Sequence, residues 1–202
     1  MNWNTEELRM KVFVKNGTIV SAGEQYQGDI CIEDGVISQI GKDLDILAKE
    51  GVQVVDAAGK YVLPGGVDVH THMDLQAGAS RAVDDFYDGT VAAACGGTTS
   101  IVDHMAFGPA GCPLHYQLNE YHGLADKKAV VDYGFHGTCQ HVNSEILDEL
   151  GDMVKDGVPS VKVYLTYDFK IDDDGVLQVL KRMKALGGVT AFHCEIMRWC
   201  SF

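Results

Sequence analysis

The chain has 202 residues, which is enough for one domain with a substantial core or for a small domain joined to part of a larger one. Hydrophobic residues make up 46% of it and the formal net charge is −13, a composition that excludes a disordered protein and predicts no nucleic-acid partner. No stretch approaches the roughly 18 apolar residues of a membrane span, and the start MNWNTEELRM is unlike a secretion signal, so we expect a cytoplasmic protein without a membrane partner.

The first 62 residues are rich in β-forming segments. Short runs such as KVFVKNGTIV and GDICIEDGVISQIG are bounded by turn residues, as in small antiparallel sheets. The pairs Asn16-Gly17 and Asp34-Gly35 lie between such runs and predict hairpin turns, because glycine adopts positive φ without steric cost. We therefore assign residues 1–62 to a small β domain.

After Pro64 the pattern changes to strands that alternate with helices. Apolar strands are predicted at 67–74, 98–105, 130–139, 160–167 and 188–195. Helices are predicted between them at about 84–95, 114–127, 144–156 and 173–186. The third of these helices has the capping pattern Asn143-Ser144-Glu145 at its start. The alternation favours a parallel β/α architecture for residues 63–202, either an open sheet or an incomplete (β/α)8 barrel, since a closed barrel needs eight strands.

The motif His70-Thr71-His72 comes at the end of the first of these strands. Residues two apart on a strand face the same side, so both imidazoles can point at one metal ion, and imidazole is a ligand that zinc prefers. Taken alone, the motif fits two histidines that only make hydrogen bonds in a core or on a surface.

Lys162 lies inside the apolar run SVKVYL, and His193 lies near the end of the fifth strand. Burial favours the neutral form of a lysine, whose amine can react with carbon dioxide to give a carbamate, an anionic oxygen ligand. The alternatives are a lysine that extends to solvent and a histidine that is satisfied within the core. Together with His70 and His72, however, these two residues occur near the carboxyl ends of predicted parallel strands, where β/α barrels gather their reactive groups.

The other histidines of the chain carry weaker signals. His104, His136 and His141 lie on or just after the second and third strands, where they could contribute to the rim of a site, but packing or hydrogen bonding is the favoured interpretation. His115 and His122 fall on a predicted helix and are interpreted as surface or interface residues.

Three segments together resemble the dihydropyrimidinase/hydantoinase family of the amidohydrolase superfamily, in particular its phenylhydantoinase-like members. They are LPGGVDVHTHMD, DDFYDGTVAAACGGTTSIVDHM, and SVKVYLTY followed by His193. The resemblance extends from about Lys11 to Glu195 and implies the amino-terminal part of a metal-dependent hydrolase (β/α)8 barrel, preceded by a small β-sandwich-type domain. It also implies zinc-dependent hydrolysis of a cyclic amide, either a dihydropyrimidine or a 5-substituted hydantoin, to an N-carbamoyl amino acid.

The resemblance assigns a role to five residues. It implies that His70, His72 and His193 are ligands of two zinc ions, and that Lys162 is a carboxylated lysine that bridges them. It implies that Tyr167 binds the substrate and stabilises the oxyanion formed from its carbonyl. The family's two further ligands, a histidine and an aspartate, have no counterpart in the chain, and 196–202 does not resemble the family. We therefore expect a truncated chain that is inactive alone.

The sequence is also compatible with two other functions. A non-catalytic dihydropyrimidinase-related scaffold is one alternative, and another cyclic amidohydrolase, such as a dihydroorotase or an allantoinase, is a second. The resemblance implies a small-molecule cyclic amide as substrate and a homotetramer as the family's assembly. Apolar side chains that could line the substrate pocket, or simply pack, are those of Leu75, Ala77, Tyr164 and Phe169.

Overall fold

The structure, a computed structural model, describes residues 11–44 and 51–195. The chain divides into two compact units, Met1–Pro64 and Gly65–Phe202. Among the described residues, no helix is long and apolar enough to cross a membrane. The predicted divergent end, residues 196–202, lies outside the described residues.

The first unit contains one mixed sheet. Its strands are β1 Lys11–Val20, β2 Gln25–Glu33, β3 Val36–Gly41, β4 Val52–Asp56 and β5 Tyr61–Val62. The strand order is β3-β2-β1-β4, and β5 also pairs with β1. β1 runs antiparallel to β2 and parallel to β4 and β5, and it buries Phe13 and Ile19 against its neighbours. The small β domain predicted from the sequence is therefore confirmed.

One of the two predicted hairpins is present in this sheet and the other is not. Asp34 and Gly35, with φ of 52° and 78°, form the tight turn that joins β2 to β3. The prediction at Asn16-Gly17 is wrong, because β1 continues through both residues and only shifts its register against β2 there. The backbone N–H of Asn16 donates to the carboxylate of Asp29 at 2.8 Å, so the positive φ of Asn16 serves a bulge within a strand.

The second unit is a parallel sheet with helices between its strands. The sheet strands are β6 Gly66–Thr71, β9 Thr98–His104, β10 Asp132–Cys139, β11 Ser160–Tyr164 and β12 Val189–His193. A short hairpin follows β6, made of β7 Gln76–Ala77 and β8 Ser80–Arg81. The helices are α1 Phe86–Cys95, α2 Leu114–Ala125, α3 Ser144–Lys155 and α4 Asp173–Leu186. The strand order β12-β11-β10-β9-β6, all parallel, confirms the predicted incomplete (β/α)8 barrel.

Local chemistry explains where these helices begin and end. The Asn143 side chain accepts a hydrogen bond from the backbone N–H of Ile146 at 2.8 Å and caps α3, as predicted. Gly187 ends α4 in the left-handed conformation at φ 71°. Ile101 and Val163, both almost fully buried, anchor the sheet under these helices. Because the five strands are parallel, their carboxyl ends lie along one edge of the sheet.

All five strands of this sheet are shorter than the sequence predicted, and in two of them the difference affects predicted site residues. β6 ends at Thr71 and β11 ends at Tyr164, so His72 and Tyr167 lie in the segments that follow the strands. These segments can depart from strand geometry, and the positive φ of Tyr167, 67°, shows that its segment does so. Alternation along a strand therefore does not by itself bring His70 and His72 to the same side, because β6 ends between them.

Candidate metal and catalytic site

A bulge at the end of β6 brings two histidine rings together. Asp68 pairs with Ile101 and Thr71 pairs with Asp103, so β6 has one more residue than β9 between these two pairs. Such a bulge re-aims side chains at the end of a strand. His70 lies within it and His72 lies just beyond β6, and their Nε2 atoms are 3.3 Å apart.

Lys162 approaches this histidine pair from β11. It is buried, with 5% of its surface exposed, and its Nζ atom lies 3.5 Å from Nε2 of His70. Burial lowers the pKa of Lys162 below its usual value, because the charged ammonium loses its hydration. The structure therefore contains the buried lysine that the sequence predicted, next to the predicted histidines.

The electrostatic surroundings favour neutral imidazoles. Burial, followed by the charge of Lys162, lowers the pKa of His72 to about 4 and that of His104 to about 3. The same two causes lower the pKa of His70. A lowered pKa favours the uncharged ring, and a neutral imidazole has the lone pair with which histidine binds a metal ion.

His104 and His136 lie closer to the pair than their interpretation as rim residues indicated. The ring of His104 lies 4.4 Å from the ring of His70 on one side and 4.4 Å from that of His136 on the other. Nε2 of His136 donates to the carbonyl oxygen of Val69 at 2.9 Å. Both histidines do pack and form hydrogen bonds, but they do so within the histidine cluster itself.

Sequence reasoning missed Asp103, which is fully buried beneath the motif. Its carboxylate accepts hydrogen bonds from the Thr71 hydroxyl at 2.7 Å and from the backbone N–H of Met73 at 2.8 Å. Burial outweighs these two bonds and raises the pKa of Asp103 to about 6. An acidic residue inside the apolar strand run TTSIVDH was the signal that could have identified it.

Tyr167 and His193 lie together at the end of the sheet. His193 is the last residue of β12, and its Nε2 is 3.3 Å from the Tyr167 hydroxyl oxygen. The Tyr167 hydroxyl donates to the Glu195 carboxylate at 3.0 Å, and that carboxylate lies 3.3 Å from the His193 ring nitrogen. The left-handed backbone of Tyr167 is uncommon for a bulky residue, and such conformations cluster at functional sites.

A cavity of about 730 Å³ connects most of these groups. His72, Lys162, Tyr167 and His193 line it. Its apolar wall contains three of the four predicted pocket residues and one further ring: Leu75, Tyr164, Phe169 and Phe107. The side chain of the fourth, Ala77, lies outside the described part of the chain. The size and the mixture of apolar and polar groups are typical of a small-molecule site.

The distance between the His70 and His72 ring nitrogens fits two ligands of one zinc ion. Two nitrogen ligands at about 2.0–2.1 Å from one tetrahedral zinc lie about 3.3 Å from each other. The Nε2 atoms of His70 and His72 have this separation, so the pair fits. Among the described residues, no group of three or more His, Cys, Asp or Glu side chains is arranged to hold a metal ion. The amine of Lys162 lies next to the pair, with Nζ 3.5 Å from Nε2 of His70.

Comparisons with known proteins identify relatives of the chain. It is 51% identical over 186 residues to a D-phenylhydantoinase of Escherichia coli O139:H28, covering 92% of this chain. A D-phenylhydantoinase of Shigella boydii serotype 4 matches equally well. The chain belongs to the hydantoinase and dihydropyrimidinase family. It spans 40% of the length of these two curated relatives, and no family model matches it.

Solved structures of hydantoinases and dihydropyrimidinases have the same fold. A dihydropyrimidinase from Brevibacillus agri is 41% identical with a TM-score of 0.86, and covers 92% of this chain and 40% of its own. An L-hydantoinase from Arthrobacter aurescens is 26% identical with a TM-score of 0.76, over 93% of this chain and 41% of its own. The family resemblance inferred from the three sequence segments is thus confirmed.

Proposed function

We propose that this chain forms part of a zinc-dependent cyclic amidohydrolase that opens dihydropyrimidines or 5-substituted hydantoins to N-carbamoyl amino acids. The observation that carries the proposal is the His70–His72 pair at zinc-ligand separation, with the buried amine of Lys162 3.5 Å from one of the rings. The relatives named D-phenylhydantoinase and dihydropyrimidinase support the choice of reaction.

In this proposal His70, His72, Lys162 and His193 hold two zinc ions. The neutral amine of Lys162 adds to carbon dioxide and releases one proton, which leaves a carbamate whose two oxygens can each bind a cation. When bound, zinc lowers the pKa of a water molecule and polarises a carbonyl group. The lowered pKa values of His70, His72 and Lys162 support this assignment, because each ligand must be neutral before it binds or reacts.

Tyr167 and the apolar wall have separate tasks in the reaction. Tyr167 lines the same cavity, and its hydroxyl can donate a hydrogen bond to the ring carbonyl as negative charge develops on the carbonyl oxygen. Leu75, Phe107 and Phe169 can hold the substituent of the ring and keep bulk water away from it. The stacked rings of Phe107 and Phe169, 4.3 Å apart, favour a hydrophobic or aromatic substituent.

The assembly and the cellular location belong to the same proposal. A small-molecule cyclic amide is the proposed substrate. The proposal also includes the homotetramer that the resemblance implies and the cytoplasmic location expected from the sequence. The resemblance implies two further ligands, a histidine and an aspartate, that have no counterpart in the chain, so we expect the 202-residue chain by itself to turn over substrate poorly or not at all.

The function is tested with a panel of cyclic amides. Purified chain is incubated with zinc and bicarbonate, and ring opening of dihydrouracil, 5-phenylhydantoin, dihydroorotate and allantoin is followed by chromatography. Binding is measured in parallel, as protection of the chain against thermal unfolding by each compound. Preferential binding or opening of 5-phenylhydantoin and dihydrouracil supports the proposal. Preference for dihydroorotate or allantoin would replace the substrate class, and no response to any compound would favour the scaffold alternative.

A further inference from the structure

We propose that Asp103 and His136 act as positioning residues that clamp the bulge carrying His70 and His72 and so set the metal affinity of that pair. The inference rests on the proposed function, because it takes the two histidines as metal ligands. It concerns two groups that do not line the cavity and that have no part in the proposed function.

Asp103 holds the chain on both sides of His72. One of its carboxylate oxygens, Oδ2, accepts from both the Thr71 hydroxyl, at 2.7 Å, and the Met73 backbone N–H, at 2.8 Å. β6 ends at Thr71, so the carboxylate replaces the strand partner that Met73 would otherwise need. The residues before and after His72 are thereby tied to β9, which fixes the direction in which the His72 ring leaves the backbone.

His136 holds the other end of the bulge. Its Nε2 donates to the carbonyl oxygen of Val69, the residue before His70, at 2.9 Å. Its other ring nitrogen, Nδ1, forms a hydrogen bond with the Ser160 hydroxyl. Ser160 begins β11, two residues before Lys162. The His136 ring therefore connects the bulge to the strand that carries the lysine.

The clamp forms hydrogen bonds with backbone groups that the bulge leaves without strand partners. A bulge leaves backbone groups without their strand partners, and those groups destabilise the bulge unless other groups bond to them. Asp103 and His136 supply these bonds at Met73 and Val69. Metal binding requires ligands held to within roughly 0.5 Å, and loss of a residue that orients a ligand typically weakens metal binding about 10–100-fold.

Asp29 provides a matched control for Asp103. It is also buried, at 7% exposure, and its carboxylate accepts two backbone N–H groups, from Asn16 at 2.8 Å and from Leu44 at 3.0 Å. These contacts lie in the first unit and involve none of the proposed ligands. Substitution of either aspartate should destabilise its own surroundings, but only substitution of Asp103 should change the histidine pair.

The experiment compares four variants of the whole chain: Asp103→Leu, Asp103→Asn, His136→Phe and Asp29→Leu. Zinc affinity is measured by competition with a chromophoric chelator. The ring nitrogens of His70 and His72 are followed by NMR in metal-free protein. We expect Asp103→Leu and His136→Phe to bind zinc about 10–100-fold more weakly and to shift both sets of ring signals. Asp103→Asn keeps an acceptor oxygen at the Oδ2 position and should remain close to wild type.

Each outcome decides one of the two proposals. If Asp103→Leu folds and binds zinc as tightly as wild type, with unchanged ring signals, the clamp is overturned while the proposed function stands. If Asp29→Leu weakens zinc binding as much as Asp103→Leu does, the effect is one of general stability and the clamp is again overturned. If the wild-type chain binds no zinc, the proposed function fails, and the NMR signals of the metal-free variants still decide whether Asp103 and His136 orient the rings.

Discussion

Lys162 and His70 are 92 positions apart in the sequence, yet the amine nitrogen of one lies 3.5 Å from a ring nitrogen of the other. The contact joins β6 to β11, which are separated in the sheet by β9 and β10. Curvature of the parallel sheet brings the two strands together at their carboxyl ends, which is the geometry on which β/α barrels build their sites.

The first prediction concerns Lys162. We expect Lys162→Met to abolish zinc binding, because methionine cannot form a carbamate, while the free energy of unfolding does not fall, because the burial cost of an amine is removed. Zinc affinity in buffers with and without bicarbonate provides the measurement. The wild-type chain should bind more tightly with bicarbonate. Lys155→Met, at a side chain that is 76% exposed, is the control and should retain that dependence.

The second prediction concerns Tyr167. Where ring opening is measurable, we expect Tyr167→Phe to lower kcat about 10²–10³-fold, the usual effect of removing one donor to an oxyanion. Zinc affinity should change little, since the Tyr167 hydroxyl contacts Glu195 and His193 without being a proposed ligand. The measurement is the rate of ring opening and the zinc affinity of wild type and of Tyr167→Phe. Parallel loss of zinc and rate would show that Tyr167 acts through His193 instead.

The third prediction concerns a pH-dependent contact between α2 and α3. Burial lowers the pKa of His115, but hydrogen bonds to Asp156 and Glu149 and their charges outweigh it, so the net shift is upward from 6.5. A raised pKa means that this contact stabilises the fold fully below about pH 6.5 and loses its effect as pH rises through the folded pKa. The free energy of unfolding, measured with urea at a series of pH values from below 6.5 upward, should show this loss of stability in wild type but not in His115→Asn.

His122 is the control for that experiment. It also lies on α2 and is exposed, and its ring contacts the hydroxyl of Tyr133 at 3.4 Å. Within residues 11–44 and 51–195, no ion pair joins His122 to a carboxylate. His122→Asn should therefore keep the wild-type pH dependence. If both variants lost it equally, the dependence would come from groups other than the His115 contact.

The fourth prediction concerns the core of the second unit. Phe86 is fully buried, and its ring packs edge to face against Tyr121 and Phe135. We expect Phe86→Ala to cost about 3–5 kcal/mol of unfolding free energy, because the loss of the ring leaves a cavity. The neighbouring Tyr87, 54% exposed, should tolerate Tyr87→Ala within about 0.5 kcal/mol. Denaturant unfolding measures both, and equal effects would contradict the described core.

The sequence predicted most of the fold because helix and strand periodicity is local information. All four helices lie within two residues of their predicted ends, and the Asn143 cap is present. The error at Asn16-Gly17 arose because positive φ serves bulges as well as hairpins, and a bulge depends on a contact with the distant Asp29.

The candidate site was only partly predictable. The proposed ligands stood out as unusual residues at strand ends, although their roles remain proposals. Asp103 was missed because its effect is tertiary: one buried carboxylate binds both neighbours of His72, and no local pattern encodes that. The cluster of His104 and His136 around His70 likewise depends on sheet register, which spacing alone does not give.

The central claim, that His70 and His72 form half of a metal site, is tested most directly by zinc bound per chain after dialysis with zinc and bicarbonate. His70→Asn/His72→Asn removes the pair, and His115→Asn/His122→Asn removes two histidines elsewhere. We predict that wild type and the second double variant retain zinc while the first retains only background. Equal zinc in all three proteins, or none in wild type, would contradict the account.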